Sequence, residues 1–383
     1  MTSPPSSWYG RRTLLDELMP ELAHILHVHV TGATVDGICH AVSLSSNLDP
    51  SAPSNTRHQS ASASDKPSLL HILDTARQAC LSLADFDPVE TLAASGPCAR
   101  VELASAASTL TGNSKASGQR LYVIKTVDRK WAYRMRHQQS LHDQVRILRM
   151  ANKEPRKART PRLLASFLSP DEFHIVCEQA VGGDLWSVLE SANTDIKHAP
   201  CGLPEPFVKI WAAQLVEALE WLHSKGFAHR DIKPHNLLLD CRNHLLLTDF
   251  GSCAPLTNTT IRNSRASAVA RKYCQALIGT PDYMAPEVLL HAEKLAREAA
   301  LSDREDGGGS FEMPPADPEE KAYGAEVDWW SLGIVVYELL FGQAPFFAES
   351  IADTYRRILK HKTHLAFPSS PTVSPSALGF IKS

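Results

Sequence analysis

The chain has 383 residues, of which 43% are hydrophobic and 21% charged, which is typical of a soluble globular protein with a substantial core. This length is enough for about two domains or for one large domain of two lobes. The formal net charge of −3 gives no electrostatic basis for binding nucleic acid or anionic membranes. Eight cysteines without a Cys-x-x-Cys pair indicate reduced thiols in an intracellular protein.

Residues 1–84 are predicted to form an N-terminal extension of short helices and a flexible linker. The first ten residues are polar and show no secretory signal. The apolar stretch 14–30 carries acidic residues, a proline and three histidines, so it is too short and too charged to span a membrane. Residues 43–67, rich in Ser, Ala, Asn and Pro, predict the linker, and a second helix is predicted from Ser68.

A β-rich half is predicted next. Three apolar segments predict strands, the first two flanking a Gly-Pro turn: residues 89–92, 100–103 and 121–125. Residues 129–150 then show helical spacing, with Leu141, Val145 and Leu148 on one face. A further apolar segment lies at 173–177.

The second half is predicted to be helical. A long helix has Trp211, Leu215 and Leu222 on one face. Residues 257–272 and 291–322 interrupt this half, and their polar, Gly-rich or Pro-rich composition predicts exposed, mobile loops. The last predicted helix begins at 376 and is cut by the end of the chain. We therefore interpret the chain as a fragment or an incomplete gene model.

Four motifs in the second half indicate phosphoryl transfer. Residues 229–236 read HRDIKPHN, which matches the pattern H-R-D-x-x-x-x-N over its full spacing. Residues 249–251 read DFG after an apolar strand, residues 279–287 read GTPDYMAPE, and residues 328–333 read DWWSLG. Their order and spacing together make chance agreement improbable and predict a protein kinase.

The chemistry explains why these residue types are needed. Phosphoryl transfer has a loose, charge-rich transition state, so the protein mainly positions groups and neutralises charge. Asp231 is predicted to orient the substrate hydroxyl and accept its proton, and Lys233 to reach the transferring phosphate. Asn236 and Asp249 are predicted to hold Mg²⁺, which prefers oxygen ligands. Lys125, on the strand 121–125, is predicted to bind the other phosphates of ATP.

Further segments resemble one branch of the AGC kinases, that of the myotonic dystrophy kinase and the Rho-associated kinases. They are residues 181–185, 249–253, 279–283, 328–333 and 342–350. The resemblance implies an α+β, two-lobed protein kinase fold over 85–383, with a small β-rich N-lobe over about 85–178 and a large helical C-lobe over about 181–383. It also implies that the helices of the N-terminal extension form a homodimer.

The resemblance implies further site residues. Seven would line the ATP site beside Lys125 and Asp249: Gly96, Val101, Val123, Glu178, Ala180, Asp184 and Leu238. Cys177 takes the gatekeeper position beside the adenine. Thr280 would contact Asp231 and contribute to catalysis, and Asp328 would hold the catalytic loop from a neighbouring helix.

The same resemblance implies a cytoplasmic enzyme of cytoskeletal or cell-polarity signalling that phosphorylates Ser or Thr near Arg or Lys. Asp184 and Glu338 fit the family's set of substrate-binding carboxylates, whereas His235 stands where Asp or Glu is usual. Ala276 occupies the usual phosphothreonine position. Activation without phosphorylation is one alternative. Phosphorylation elsewhere in the segment is the other, at Thr259, Thr260, Ser264 or Ser267.

Three departures leave a second function open, that of a catalytically weak pseudokinase acting as a binding or scaffold module. The phosphate-binding loop 94–101 keeps one glycine, Gly96, of the usual three. Gln144 aligns where a glutamate should pair with Lys125, and it lacks the charge for that pairing. The arginine expected to pair with Glu287 would lie beyond Ser383.

Overall fold

A computed structural model describes residues 81–94, 98–106, 121–135, 137–194, 202–261, 264–269, 271–274, 276–305 and 322–383. Residues 1–80 lie outside these ranges, so the helices and linker predicted there stay predictions. Contacts divide the chain into two units. Of the described residues, those in 81–135 and 163–179 form the first unit, and those in 137–162 and 180–383 form the second.

An antiparallel sheet of five strands forms the first unit, in the order β1-β2-β3-β5-β4. The strands are β1 (Phe86–Ala94), β2 (Ala99–Ala106), β3 (Leu121–Asp128), β4 (Leu163–Leu168) and β5 (Glu172–Glu178), and helix α1 (Arg129–Arg134) follows β3. The three segments predicted as strands lie within β1, β2 and β3, and the apolar segment 173–177 lies within β5.

One face of this sheet forms the core of the first unit. Ile124 and Val176 lie at paired positions on β3 and β5, and they pack with Phe86 and Phe167 in one buried cluster. Since neighbouring residues of a strand point to opposite faces, Val123 and Lys125 lie on the other face. Both are only partly buried.

Helices dominate the second unit. They are α2 (Gln138–Lys153), α3 (Pro155–Ala158), α4 (Leu185–Thr194), α5 (Glu205–Ser224), α6 (Pro286–Glu305), α7 (Glu326–Phe341), α8 (Ile351–Leu359), α9 (His361–His364) and α10 (Pro375–Lys382). The helical spacing predicted over 129–150 falls on two helices, α1 and α2, and the buried faces predicted for α2 and α5 are confirmed, because Leu141, Leu215 and Leu222 are buried. None of the helices in the described ranges is both long and apolar enough to cross a membrane.

Short strands in the second unit flank the motifs at 229–236 and 249–251. They are β6 (Phe227–Ala228), β7 (Leu237–Leu239), β8 (Leu245–Leu247), β9 (Ala254–Ile261) and β10 (Ser264–Val269). β7 pairs with β8, and β9 pairs with both β6 and β10. The side chain of Gln214 on α5 accepts a hydrogen bond from the backbone N–H of Leu245 (2.7 Å), which attaches the β7–β8 pair to that helix.

The prediction of a mobile loop over 257–272 is wrong. Most of this segment belongs to the hairpin of β9 and β10, which continues the pairing of β6. The backbone N–H of Val269 also donates to the carbonyl oxygen of Tyr323 (2.9 Å). Val269, Ala254 and Tyr323 are buried in one apolar cluster with Ala228. Burial on this cluster outweighs the polar composition of the segment.

The second loop prediction, over 291–322, is wrong for its first part. Helix α6 continues to Glu305, and residues 306–321 lie outside the described ranges. Ala292, Leu295, Ala296, Ala299 and Ala300 have high helix propensity, and the ion pair between Arg297 and Glu293 follows helical i, i+4 spacing. These local preferences favour a helix over a loop.

Candidate active site

The carboxylate of Asp231 is the centre of a hydrogen-bonded group in the second unit. Thr280 Oγ1 donates to Asp231 Oδ1 (2.9 Å), and Lys233 Nζ lies 2.9 Å from Asp231 Oδ2. Lys233 Nζ also donates to Thr280 Oγ1 (2.8 Å). Asn236 Nδ2 donates to both the carbonyl oxygen (2.8 Å) and Oδ2 (3.1 Å) of Asp231. The structure therefore brings together four of the five residues predicted to be catalytic.

Thr280 can reach Asp231 because of the glycine before it. Gly279 has φ +112°, a backbone conformation that residues with a side chain rarely adopt. A Cβ atom at this position would lie 2.8 Å from the carbonyl oxygen of Arg230. The segment that carries Thr280 thus packs closely against the catalytic loop. A side chain at position 279 would prevent this close approach.

Asp328, at the start of α7, holds the catalytic loop by its backbone. Its side chain is completely buried, and it accepts hydrogen bonds from the backbone N–H groups of His229 (2.8 Å) and Arg230 (2.7 Å). His223 Nε2 lies 2.7 Å from the same carboxylate. Burial acts to raise the pKa of Asp328, but the hydrogen bonds from His223 and Arg230 outweigh it and keep the pKa below its usual value.

The two residues before Asp231 have buried side chains with defined partners. His229 Nε2 lies 3.0 Å from the carbonyl oxygen of Thr248, immediately before the DFG motif. Arg230 has a left-handed backbone (φ +69°), and its guanidinium donates to the carbonyl oxygens of Ser252 (2.8 Å) and Tyr273 (2.6 Å). It also donates to the hydroxyl of Tyr323 (3.3 Å), so three neutral groups solvate this buried cation.

Asp249 lies two residues after β8 and caps the start of the short 3-10 helix Phe250–Ser252. Its backbone is left-handed (φ +57°), and one carboxylate oxygen accepts a hydrogen bond from Gly251 N (3.3 Å). The carbonyl oxygen of Gly251 accepts from Ser140 Oγ of α2 (2.6 Å). Contacts within the second unit therefore fix the orientation of the DFG segment.

Asn236 and Asp249 are chemically suited to a magnesium ion. The bonds of Asn236 to Asp231 use its Nδ2 atom, so its amide oxygen takes no part in them. Within the described ranges, no group of three or more His, Cys, Asp or Glu side chains could hold a metal. Magnesium is commonly bound by one or two protein oxygen ligands together with substrate phosphates, and such a pair fits that mode.

Several predicted ATP-binding residues lie on the half-buried face of the first unit. Val101 on β2 pairs directly with Lys125 on β3, and Val123 lies two residues earlier on the same face. Cys177 pairs with Val123, and Glu178 is the last residue of β5. Burial raises the pKa of the Cys177 thiol to about 12, so it stays protonated. Gly96 lies outside the described residues.

The other predicted ATP-binding residues lie in the second unit. Asp184 and Leu238 form an isolated antiparallel bridge, and Ala180 begins the segment that leads to it. The approach is close, because a Cβ atom at Gly182 would lie 2.7 Å from Leu239 Cβ. Asp184 also caps α4 by accepting hydrogen bonds from the backbone N–H and the hydroxyl of Ser187, at 2.8 and 2.9 Å.

Helix α2 carries the position at which the family's glutamate is missing. Gln144 is buried at that position, and Asp143 beside it is buried as well. Asp143 Oδ1 accepts a hydrogen bond from Gln139 (3.2 Å), one turn earlier on the same helix. The helix thus keeps one buried carboxylate in this region, one residue before the expected position.

Sequence patterns do not indicate two residues that support the site, His223 and Tyr323. His223 is 105 positions from Asp328, its partner, and lies at the end of a regular apolar helix. Tyr323 follows a segment predicted to be a loop. Neither belongs to a recognisable motif, and only tertiary contacts reveal their positions.

Glu338 on α7 is buried, and Tyr283 donates a hydrogen bond to it (2.6 Å). Burial raises its pKa from 4.5 to about 7. The folded state therefore favours protonated Glu338, and this contribution to stability is lost as the pH rises from 4.5 through 7.

Replacing Glu338 with glutamine should remove that pH dependence. We expect the unfolding free energy of the wild type to fall by about 2–3 kcal/mol more than that of Glu338→Gln between pH 4.5 and pH values above 7. Urea unfolding followed by circular dichroism over this range measures the difference. Parallel pH profiles for the two proteins would contradict the prediction.

The fold and the group around Asp231 define a protein kinase. The family model described as "Protein kinase domain" matches residues 106–302 and 310–383, which is more than half of the chain. The chain belongs to the protein kinase family. Protein kinases use ATP and Mg²⁺.

The chain is similar to kinases of the branch that the sequence resembles. It is 34% identical over 221 residues to Rho-associated protein kinase let-502 of Caenorhabditis briggsae. The aligned segment covers 58% of this chain and 15% of that protein. It is 35% identical over 212 residues to serine/threonine-protein kinase MRCK gamma of Mus musculus (55% and 11%). Human Rho-associated protein kinase 1 is 34% identical over 220 residues (57% and 13%).

These matches confirm the predicted resemblance to the Rho-associated kinase branch. The aligned segment of this chain covers less than a sixth of each of these relatives, at 15%, 11% and 13% of their lengths. The relatives are therefore much longer proteins, and the matches lie in a part of each.

Proposed function

We propose that this chain transfers the γ-phosphate of Mg-ATP to serine or threonine hydroxyls of protein substrates. The observation that carries this proposal is the position of Asp231, whose carboxylate contacts Lys233, Thr280 and Asn236. An ordinary loop carboxylate has no need of three such partners. A carboxylate that must orient a hydroxyl does need them, because catalysis depends on its fixed position.

Each partner has a distinct part in the proposed reaction. Asp231 accepts a hydrogen bond from the substrate hydroxyl and takes its proton as the oxygen attacks the γ-phosphorus of ATP. The bond from that phosphorus to the β–γ bridging oxygen breaks, and ADP leaves. Lys233 provides positive charge beside the transferring phosphate, where the transition state is rich in negative charge. The hydroxyl of Thr280 bonds to both Lys233 and Asp231, so it fixes the ammonium group and the carboxylate relative to each other.

The residues proposed to bind the nucleotide are those that the family resemblance implies. They are Lys125, Val101, Val123, Glu178, Gly96, Ala180, Asp184 and Leu238. Asn236 and Asp249 would hold the magnesium ion. When bound, the ion neutralises charge on the phosphates.

We propose that the substrates carry Arg or Lys near the phosphorylated residue. The carboxylate of Asp184 supports this preference, because it belongs to the second unit with Asp231, whereas Glu338 is buried and accepts a hydrogen bond from Tyr283. The similarity to Rho-associated kinases supports a cytoplasmic role in cytoskeletal or polarity signalling. Dimerisation through the N-terminal segment is a further proposal, and that segment lies outside the described residues.

The alternative function is that of a weakly active pseudokinase that binds or scaffolds other proteins. The observations that favour it are Gln144, at the position of the missing glutamate, and the loss of glycines over 94–101. Both departures affect how the nucleotide is bound and positioned. Positions 231 and 249, in contrast, carry the aspartates that catalysis needs. We therefore favour the enzyme.

The test is magnesium-dependent transfer of radiolabelled phosphate from ATP to an Arg-containing serine peptide. We expect transfer with Mg²⁺, no transfer with EDTA, and none to the same peptide with alanine in place of serine. Asp231→Asn protein purified in the same way controls for contaminating kinases. Equal rates for the two proteins would contradict the enzyme. Thermal stabilisation by Mg-ATP without transfer would favour the pseudokinase.

A further inference from the structure

Positive charge is concentrated at the end of α2 and in α3. Residues 145–162 contain seven Arg or Lys residues and a single acidic residue, Glu154. The complete chain, in contrast, has a formal net charge of −3. A solvated protein surface usually mixes charges of both signs, so an excess of one sign over so short a segment needs an explanation.

Five of these cations lie exposed on two consecutive helices. Arg146, Arg149 and Lys153 follow one another at helical spacings of three and four, so they form a row along the exposed side of α2. Helix α3 begins two residues after α2 ends, and its Arg156 and Lys157 are exposed as well. We call these five residues the basic stripe.

The carboxylates nearest to the basic stripe already have other cations as partners. Glu154, between the two helices, forms an ion pair with Lys225 at the end of α5. Glu217, on the same helix α5, against which α3 packs, forms one with Arg159 (2.7 Å). Each of these pairs adds one cation for each carboxylate, so the excess of positive charge stays unchanged. Arg146 also lies over the ring of a neutral residue, Phe227 (5.5 Å), which leaves its charge in place.

The surface around the basic stripe offers almost nothing except charge. Besides the stripe, the exposed residues of 146–162 are Asn152, Pro155 and Arg162, and the segment has no aromatic residue. A protein interface has an apolar or aromatic core from which charged residues are depleted. Binding of single-stranded nucleic acid relies on aromatic rings that stack with bases. Electrostatic attraction to negatively charged lipid headgroups needs neither feature, and clusters of four to eight Lys or Arg residues are typical of it.

The negative net charge of the chain does not oppose such a contact. Salt screens charges beyond about 8 Å at physiological ionic strength, whereas α2 alone, with 16 residues, is about 24 Å long. A membrane therefore interacts with the charges that lie closest to it and hardly with the total. The expectation drawn from the net charge alone does not apply to this surface.

We propose that the basic stripe binds the surface of a negatively charged membrane through the lipid headgroups, without insertion into the hydrocarbon. This inference goes beyond the proposed function, and none of the five residues belongs to the candidate active site. The contact would hold the second unit at an anionic membrane by electrostatic attraction. Its strength should therefore depend on the lipid charge, on the salt concentration and on the cations of the stripe.

Sedimentation of the full chain with lipid vesicles tests the first two dependences without ATP. One set of vesicles contains phosphatidylcholine alone, and the other also contains about 30 mol% phosphatidylserine. At about 0.1 M NaCl, we expect the protein to sediment with the second set only. At about 0.5 M NaCl, where the screening distance falls to about 4 Å, most of this binding should be lost.

A triple variant tests whether the basic stripe is the surface that binds. It replaces three exposed cations with glutamine, which keeps a long side chain and a high helix propensity: Lys153→Gln, Arg156→Gln and Lys157→Gln. We expect its partition onto the anionic vesicles to be roughly 100-fold weaker than that of the wild type, at about five-fold for each cation removed. Circular dichroism and thermal unfolding should match the wild type, since the three side chains are exposed.

The matched control changes the net charge by the same amount at three other exposed lysines: Lys130→Gln, Lys294→Gln and Lys362→Gln. It should bind the anionic vesicles as the wild type does, to within a few-fold. An equal loss in the two triple variants would show that total charge, and not the stripe, governs binding, and it would overturn the inference.

Three other results would also overturn it. The first is equal sedimentation with both sets of vesicles, and the second is full binding by the stripe variant. The third is binding of a polyglutamate peptide or of a single-stranded RNA by protein that does not sediment with the anionic vesicles, which would assign the stripe to another class of partner. Phosphate transfer is measured separately, so the failure of either proposal leaves the other standing.

Discussion

Exchanging Asp231 for asparagine is expected to lower kcat by about 10²–10⁴-fold, the range for loss of a general base. Asparagine has nearly the same shape, but it is not negatively charged and cannot accept the proton of the substrate hydroxyl. Lys233 and Thr280 would also lose a charged acceptor, at distances of 2.9 Å each in the wild type. The alignment of the attacking hydroxyl and its deprotonation should both suffer.

The affinity for Mg-ATP should change little in Asp231→Asn, because the residues proposed to bind the nucleotide and the metal remain. Single-turnover transfer measures the chemical step, and isothermal titration with Mg-ATP measures binding. Asp171→Asn, an exchange at an exposed turn of the first unit, is the matched control and should retain full activity. A variant at position 231 with near wild-type kcat would remove Asp231 from the mechanism.

The catalytic group is the part of the molecule that the sequence predicts best. Asp231, Lys233 and Asn236 lie within a span of six residues, so a short loop with a 3-10 turn is enough to bring them together. Thr280 is farther along the chain, and its place follows from the motif 279–287. The physical reason for the position of Thr280 is that Gly279 adopts a positive φ and packs against the carbonyl oxygen of Arg230. Only the structure reveals this contact.

The β9–β10 hairpin shows why another part could not be predicted. Its sequence lacks the alternation of apolar and polar residues that indicates a strand, since residues 257–267 are mostly Ser, Thr, Asn and Arg. What stabilises it is pairing with β6 and burial of Ala254 and Val269 in a cluster with Tyr323. These partners are remote in sequence, so local propensity gives no indication of them.

The contacts of Arg230 also depend on residues that are remote in sequence. Its guanidinium binds the carbonyl oxygens of Ser252 and Tyr273 and the hydroxyl of Tyr323. Phosphorylation commonly orders the activation loop of a kinase, because the added negative charge pairs with an arginine. Here neutral groups already satisfy this cation, and Ala276 leaves no hydroxyl at the usual position. Activation without phosphorylation and phosphorylation elsewhere in the segment both stay predictions.

Replacing Asp328 with alanine is expected to lower the free energy of unfolding by about 3–5 kcal/mol, as for other buried charged groups that lose a partner. Three donors would lose their common acceptor: the backbone N–H groups of His229 and Arg230, and the ring of His223. His229 and Arg230 are themselves buried, so water cannot easily replace the carboxylate. Chemical denaturation followed by circular dichroism measures the loss.

Asp328 should also account for part of the stability that is lost in acid. Its pKa lies below the usual 3.8, so its contribution is present above that value and is lost as the pH falls through the lower pKa of the folded state. The unfolding free energy of Asp328→Ala should therefore decrease less steeply in this acid range than that of the wild type. A steeper decrease in the variant would contradict the assignment.

Asp353→Ala is the matched control for Asp328→Ala. Asp353 is also a carboxylate near a helix start with a lowered pKa, but it lies on the surface, with Ser350 and Arg356 as partners. Exposed pairs of this kind contribute up to about 1 kcal/mol. A similar loss in the two variants would mean that burial of Asp328 is not the cause. A large loss at 328 alone would show that the catalytic loop depends on a residue almost a hundred positions beyond it, since the bond to His229 spans 99 positions.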